Sequence, residues 1–227
     1  SYHTRAAEAA LIFATLYKYT RDLSYAKRAI KLIDWLISKQ SYDGSWSETE
    51  HALFHDFIER TPISFIFQQI FPKWRGTTVF QLLSLTKSFE LLKNFLSNEK
   101  KSLWIKSITS ATNWVINNIS SDYGTNYILC AATTLALVAK ILGREYPLLN
   151  IAKNYISTGF YKRLTPEGFL MGEGCKEGVD IGYNLDMSLG CLALYSKITN
   201  NTLLERELVR ILKTHLFFIY PDGSIDD

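Results

Sequence analysis

Proline is scarce, 5 in 227 residues, and no stretch is rich in Gly, Ser or Pro, so nothing reads as a flexible linker. The expectation is a single domain over residues 1–227, 47% hydrophobic and long enough for one substantial core. Cysteine is scarce too. Cys130, Cys175 and Cys191 lack metal-ligand spacing, and none of them demands an oxidising compartment. Cys130 and Cys191 read as small buried hydrophobes, while Cys175 stands in the loop Gly172-Glu173-Gly174-Cys175. The two signs of charge nearly balance, 25 Lys and Arg against 22 Asp and Glu. A net +3 with no Lys/Arg run interleaved with aromatics excludes the footprint of a nucleic-acid surface.

Long apolar runs are missing as well. The longest, Ile128 to Leu142, is interrupted by Thr133, Thr134 and Lys140, and reads as a buried helix, not a membrane span. There is no glycine-rich phosphate loop, nucleophile elbow or Cys-x-x-Cys pair, and no cofactor or metal is expected. The default compartment is the cytoplasm, with export left open. Ser1 is not an initiator, and Ile225-Asp226-Asp227 stops where a further helix is due, so a fragment of a longer chain is expected.

What the chain does contain is a repeat. Thr20-Arg21-Asp22 aligns without gaps on Thr199-Asn200-Asn201, and the same shift carries Asp43-Gly44-Ser45 onto Asp222-Gly223-Ser224. Phe13 then falls on Leu192, Ala14 on Ala193, Tyr25 on Leu204 and Ile30 on Val209. A fixed shift over that span implies repeated helix–turn–helix units, each closing on an Asp-Gly loop. Weaker copies run from Lys140 to Gly168, turning at Leu142-Gly143-Arg144, and from Phe89 to Gly124, turning at Ser97-Asn98-Glu99. Pro166-Glu167-Gly168 and Asp122-Tyr123-Gly124 are their exits, where glycine accepts positive φ.

Within each unit the helices differ. Ala6 to Leu16, Ile128 to Leu142 and Leu185 to Tyr195 are apolar nearly all round and should be enclosed. Leu23 to Ser38 puts Ala26, Ile30, Ile33 and Ile37 on one stripe, as an outer helix would. Turns inside the hairpins are short. The links Ser41–Gly76, Ser120–Asn126, Leu164–Asn184 and Tyr220 onward are longer and should share one rim, where sites are usually built. The predicted fold is all-α, an α/α toroid or partial barrel of about four hairpins that further repeats or a partner would complete.

The pattern Leu16-Tyr17-x-x-Thr20-x-Asp22-x-x-Tyr25-x-x-x-Ala29, then Gln40-x-x-Asp43-Gly44-Ser45-Trp46, resembles the α/α toroid of glycan-active enzymes. These include unsaturated glucuronyl hydrolases and heparinase-type lyases. The resemblance implies a carbohydrate-active enzyme, a glycoside hydrolase or polysaccharide lyase, with an oligo- or polysaccharide in a rim cleft. Gln40 through Trp46 also resembles the Q-x-x-x-G-x-W motif of terpenoid cyclases, though once only and without their Asp-x-Asp-Asp acid. A cyclase-like domain and a non-catalytic helical binding module are the alternatives.

Three groups of residues carry candidate chemistry. The loop from Glu173 to Asp186 is the densest in polar side chains. Asp180, Asp186 and Tyr183 are candidate catalytic groups, with Asn184 and Glu173 binding substrate. Hydrolysis needs two carboxylates, whereas a uronate lyase needs a group to neutralise the substrate carboxylate and a base such as Tyr or His. His51 and His55, one helical turn apart and near Glu48, Asp56 and Glu59, form the second group. His55 is a candidate base and His51 a sugar ligand; the spacing suits zinc only if a third ligand arrives. Aromatics are the third. Trp46 and Trp74 are candidate stacking faces, and Tyr123, Tyr127, Phe169 and Tyr220 lie in or beside rim loops. Acidic rim residues outnumber Arg60, Lys73, Arg75, Lys162, Arg163 and Lys176, a balance that leans toward hydrolysis.

Overall fold

The structure, a computed structural model, describes residues 4–47, 75–143, 145–173 and 178–224. They are mainly helical, with two isolated antiparallel bridges, Leu164 with Leu170 and Met171 with Val179. The fold is all-α. The chain packs as two compact units, Ser1–Asn117 and Asn118–Asp227.

The first unit contains α1 (Ala9–Thr20), α2 (Leu23–Ser38), α3 (Thr78–Leu92) and α4 (Asn98–Asn118). The tight turn between α1 and α2 follows from three side chains. Arg21 takes a left-handed conformation at φ 61°, and Asp22 then caps α2 by accepting from the Ser24 amide at 2.8 Å. Thr20 Oγ1 accepts from the Asp22 amide and donates to the Leu16 carbonyl. The interior helix of this unit is α3, eleven of whose residues are buried. By contrast α1 buries Ala10, Ala14 and Tyr17 but leaves Ile12, Leu16 and Tyr19 exposed, so the expected all-round enclosure fails there. The expected stripe of α2 is present in shifted form, with Ala26, Ala29, Ile33 and Leu36 buried. Trp104 of α4 is fully buried beside it and donates to Asp34 Oδ1 at 3.0 Å, while Lys100 pairs with the other oxygen.

The second unit contains α5 (Thr125–Leu142), α6 (Glu145–Ile156), α7 (Gly190–Thr199) and α8 (Thr202–His215). Its core helix is α5. That helix is apolar and long enough to cross a membrane, but 78% of it is buried among its neighbours, the signature of a core element. Among its buried polar residues, Thr133 donates through Oγ1 to the carbonyls of Leu129 in its own helix and Cys191 in α7. The α7–α8 turn reproduces α1–α2. Asn200 is left-handed at φ 53°, and Asn201 caps α8 through the Leu204 amide at 3.0 Å. Among the described non-glycine residues only Arg21 and Asn200 have positive φ, and the repeat register pairs them.

The Asp-Gly loops repeat bond for bond. Asp43 Oδ1 accepts from the Ser45 amide and hydroxyl at 3.0 and 2.7 Å; Asp222 Oδ1 does the same for Ser224 at 2.9 and 2.7 Å. Gly44 and Gly223 sit at φ 94° and 87°. Thr165 to Phe169 closes in the same way around Gly168 at φ 103°. Gly124 departs from the plan. Its φ of −57° is ordinary, and it serves as the N-cap residue of α5.

Candidate functional site

The second unit holds an open cleft of about 650 Å³ at the N-terminus of α5. Two segments far apart in sequence are drawn together there. Gly172 accepts from the Thr125 amide at 3.2 Å, and its own amide donates to the Gly178 carbonyl at 2.9 Å, fixing the 170–173 segment against the helix start. Arg163 then crosses the floor. Nη1 donates to Thr125 Oγ1 at 2.8 Å, and Nη2 donates to the carbonyls of Ser121 and Tyr123 at 2.6 and 3.0 Å. A Cβ on Gly172 would stand 2.7 Å from Arg163 Nη1, at φ 88°, so glycine permits this approach.

Glu173 forms the cleft's buried wall at 4% exposure. Ser188 Oγ donates to its Oε1 at 2.8 Å, and the Asn126 amide in the first turn of α5 donates to it as well. Its carboxyl group thereby sits at a helix N-terminus whose N-cap residue, Gly124, supplies no side-chain bond. Burial nonetheless wins. It raises the Glu173 pKa, against the Ser188 and Asn126 bonds and the charge of Arg163, with Asp180 adding to the rise. Burial also lowers Arg163, opposed by Glu173 and Asp122, though a guanidinium remains charged. Tyr123 is raised by burial. Its ring meets Tyr127 edge to face, with centroids 6.0 Å apart, and Tyr183 presents a 46% exposed phenol on the same cleft.

Of the residues singled out in the sequence, Glu173 and Tyr183 line this cleft, together with Tyr123 and Tyr127. Asp180 instead caps the turn below, accepting from the Tyr183 amide at 2.8 Å. Asn184 is fully buried and ties the carbonyls of Leu170 and Asp180 at 3.2 and 2.7 Å, which makes it a brace with no exposed face for a sugar. Asp186 is exposed on the π-helical turn Asn184–Leu189 and does not line the cleft. Trp46, in the first unit, has no exposed surface, and its indole donates to the Leu36 carbonyl at 2.8 Å. A stacking role for that ring gives way to a core one. His51, His55 and Trp74 lie outside the described residues, as do Glu48, Asp56, Glu59, Cys175 and Asp226-Asp227.

Arg163 is the residue that sequence reading undervalued, since it entered only as one rim cation among six. Its position at the start of the Leu164–Asn184 link was the available signal. Among the described residues no three His, Cys, Asp or Glu side chains converge as metal ligands.

A broad-specificity ulvan lyase of Formosa agariphila is 22% identical over 239 residues, covering 99% of this chain and 34% of its own length. The chain thus spans about a third of the curated relative it matches. No solved structure matches it. The ulvan lyase N-terminal domain family matches throughout residues 1–227, and the chain belongs to that family.

Proposed function

We propose that this chain is the helical, substrate-binding part of a polysaccharide lyase, and that the cleft around Arg163 receives an acidic sugar. One observation carries the reading: a guanidinium lies in a cleft lined by Tyr123, Tyr127 and Tyr183, in a chain of the ulvan lyase N-terminal domain family. Elimination removes the proton beside the sugar carboxylate, breaks the adjacent carbon–oxygen bond and leaves a carbon–carbon double bond; the departing oxygen takes a proton. Arg163 supplies the positive charge that makes the first proton acidic. Tyr183, exposed and without a hydroxyl partner among the described residues, is the proton-transfer group. Tyr123 and Tyr127 offer the sugar an aromatic corner.

The cleft speaks against the hydrolytic lean. A glycosidase needs two available carboxylates, yet Asp180 is engaged as a cap, Asp186 lies elsewhere and Glu173 is buried. The toroid scaffold belongs to the same proposal, supported by the recurring hairpin turns and Asp-Gly loops.

The test is incubation of a full-length protein carrying this domain with ulvan, the polysaccharide for which the relative is named. Elimination appears as ultraviolet absorbance from the new double bond conjugated with the carboxylate. Arg163→Met should abolish it. Reducing ends released without that absorbance would mean hydrolysis and overturn the reading.

A further inference from the structure

A second cavity of about 500 Å³ opens in the same unit, between the end of α6 with its π-helical turn Ser157–Tyr161 and the α7–α8 turn. It shares no lining residue with the Arg163 cleft.

Tyr195 is only 3% exposed, lines the cavity, and has no hydrogen-bond partner for its hydroxyl among the described residues. The ring is buried while its hydroxyl opens onto the cavity, where a bound group can accept from it or donate to it. Burial raises its pKa, with Tyr161 adding to the rise, so the phenol stays protonated and able to donate.

The surrounding groups are donors as well. Asn201 uses Oδ1 to cap α8, leaving its amide N–H groups without a partner among the described residues. Lys153 makes no ion pair there, and the Ser157 hydroxyl has no partner. Among the described lining residues none is a carboxylate. Tyr161 is 56% exposed, with its ring held edge to face on the fully buried Phe160 at 4.9 Å. A cation, several neutral donors and a fixed aromatic face suit a ligand that is anionic, rich in acceptor oxygens and apolar on one side.

We propose that this cavity is a second saccharide subsite for an acidic sugar unit. The sugar's carboxylate meets Lys153, its hydroxyls meet Tyr195, Asn201 and Ser157, and its C–H face lies on Tyr161. The choice of a sugar over a simple anion rests on the glycan reading above; the lysine and the absence of a carboxylate from the described lining do not. A lyase domain that holds its polymer here as well as at the Arg163 cleft would gain avidity for the chain.

The experiment is a titration of the 227-residue protein with D-glucuronate, followed by NMR of labelled tyrosines. Tyr161 and Tyr195 resonances should shift with saturation. Tyr195→Phe, which keeps the ring, should weaken binding about five-fold, the worth of one hydrogen bond. Lys153→Met should remove the preference for glucuronate over glucose. Shifts confined to Tyr123, Tyr127 and Tyr183 would overturn the second subsite while leaving the cleft reading intact. Equal shifts of Tyr161 and Tyr195 with sodium acetate would reduce it to a simple anion pocket and overturn it too. Shifts at Tyr161 and Tyr195 in a protein whose full-length form shows no elimination would uphold the subsite and sink the lyase reading alone.

Discussion

Gln40 and Ser107 bond each other in both directions. The Ser107 hydroxyl donates to Gln40 Oε1 at 2.7 Å, and Gln40 Nε2 donates to the Ser107 carbonyl at 3.1 Å and to the Gly44 carbonyl at 2.9 Å. One amide thus fastens the end of α2, the Asp-Gly loop and α4. Gln40→Leu keeps the bulk and loses all three bonds, leaving carbonyls behind. It should cost about 2 kcal/mol, read as a lower urea midpoint.

Gly44 and Gly223 share one loop geometry in two surroundings. A Cβ on Gly44 would lie 2.4 Å from the Ser110 carbonyl oxygen, while one on Gly223 would meet nothing within 4 Å. Gly223→Ala should cost about 1 kcal/mol from backbone strain alone, and Gly44→Ala at least about 3 kcal/mol because backbone must move too. Equal losses in thermal unfolding would contradict the close approach of this loop to α4.

Glu173 should set part of the acid–base dependence of stability. With its folded pKa raised by burial, the native state binds more protons than the unfolded state between the two values. Stability contributed by this group is therefore complete below the unfolded pKa and falls as pH rises through the folded one. Glu173→Gln, which does not titrate, should flatten that fall in melting temperatures measured upward from the ordinary glutamate range. An unchanged slope would mean that other groups produce it.

Tyr183→Phe probes proton transfer. The hydroxyl has no partner among the described residues and the ring is half exposed, so folding and sugar affinity should survive. Turnover in a full-length enzyme should fall about 10²–10⁴-fold. A fall of less than about three-fold would remove Tyr183 from the chemistry.

Arg163→Lys keeps the charge but cannot reproduce the fork that holds Ser121, Tyr123 and Thr125. Amide hydrogen exchange across residues 121–125 should quicken, and substrate affinity should drop with it. Protection equal to the parent's would show that the guanidinium does not organise the loop.

Much of the architecture was legible because it rests on bonds between near neighbours. Asp22 capping Ser24, Asn201 capping Leu204 and Asp222 bridging to Ser224 join residues two or three apart, so the same short motif yields the same turn wherever it occurs. The near-uniform apolarity from Ile128 to Leu142 likewise marked a core helix, since such a segment has no face suited to water.

Which side chains meet at the cleft was decided by the tertiary structure. Arg163 finds its partners 38 to 42 residues away, and Glu173 reaches Ser188 across 15. Trp46 carries the same aromatic signal in sequence as Tyr127, yet the first is sealed between helices and the second lines a cleft. Residue type states what a side chain could do. Whether Trp46 is core or surface depends on long-range packing against neighbours such as Leu36 and Thr78, which local periodicity does not encode.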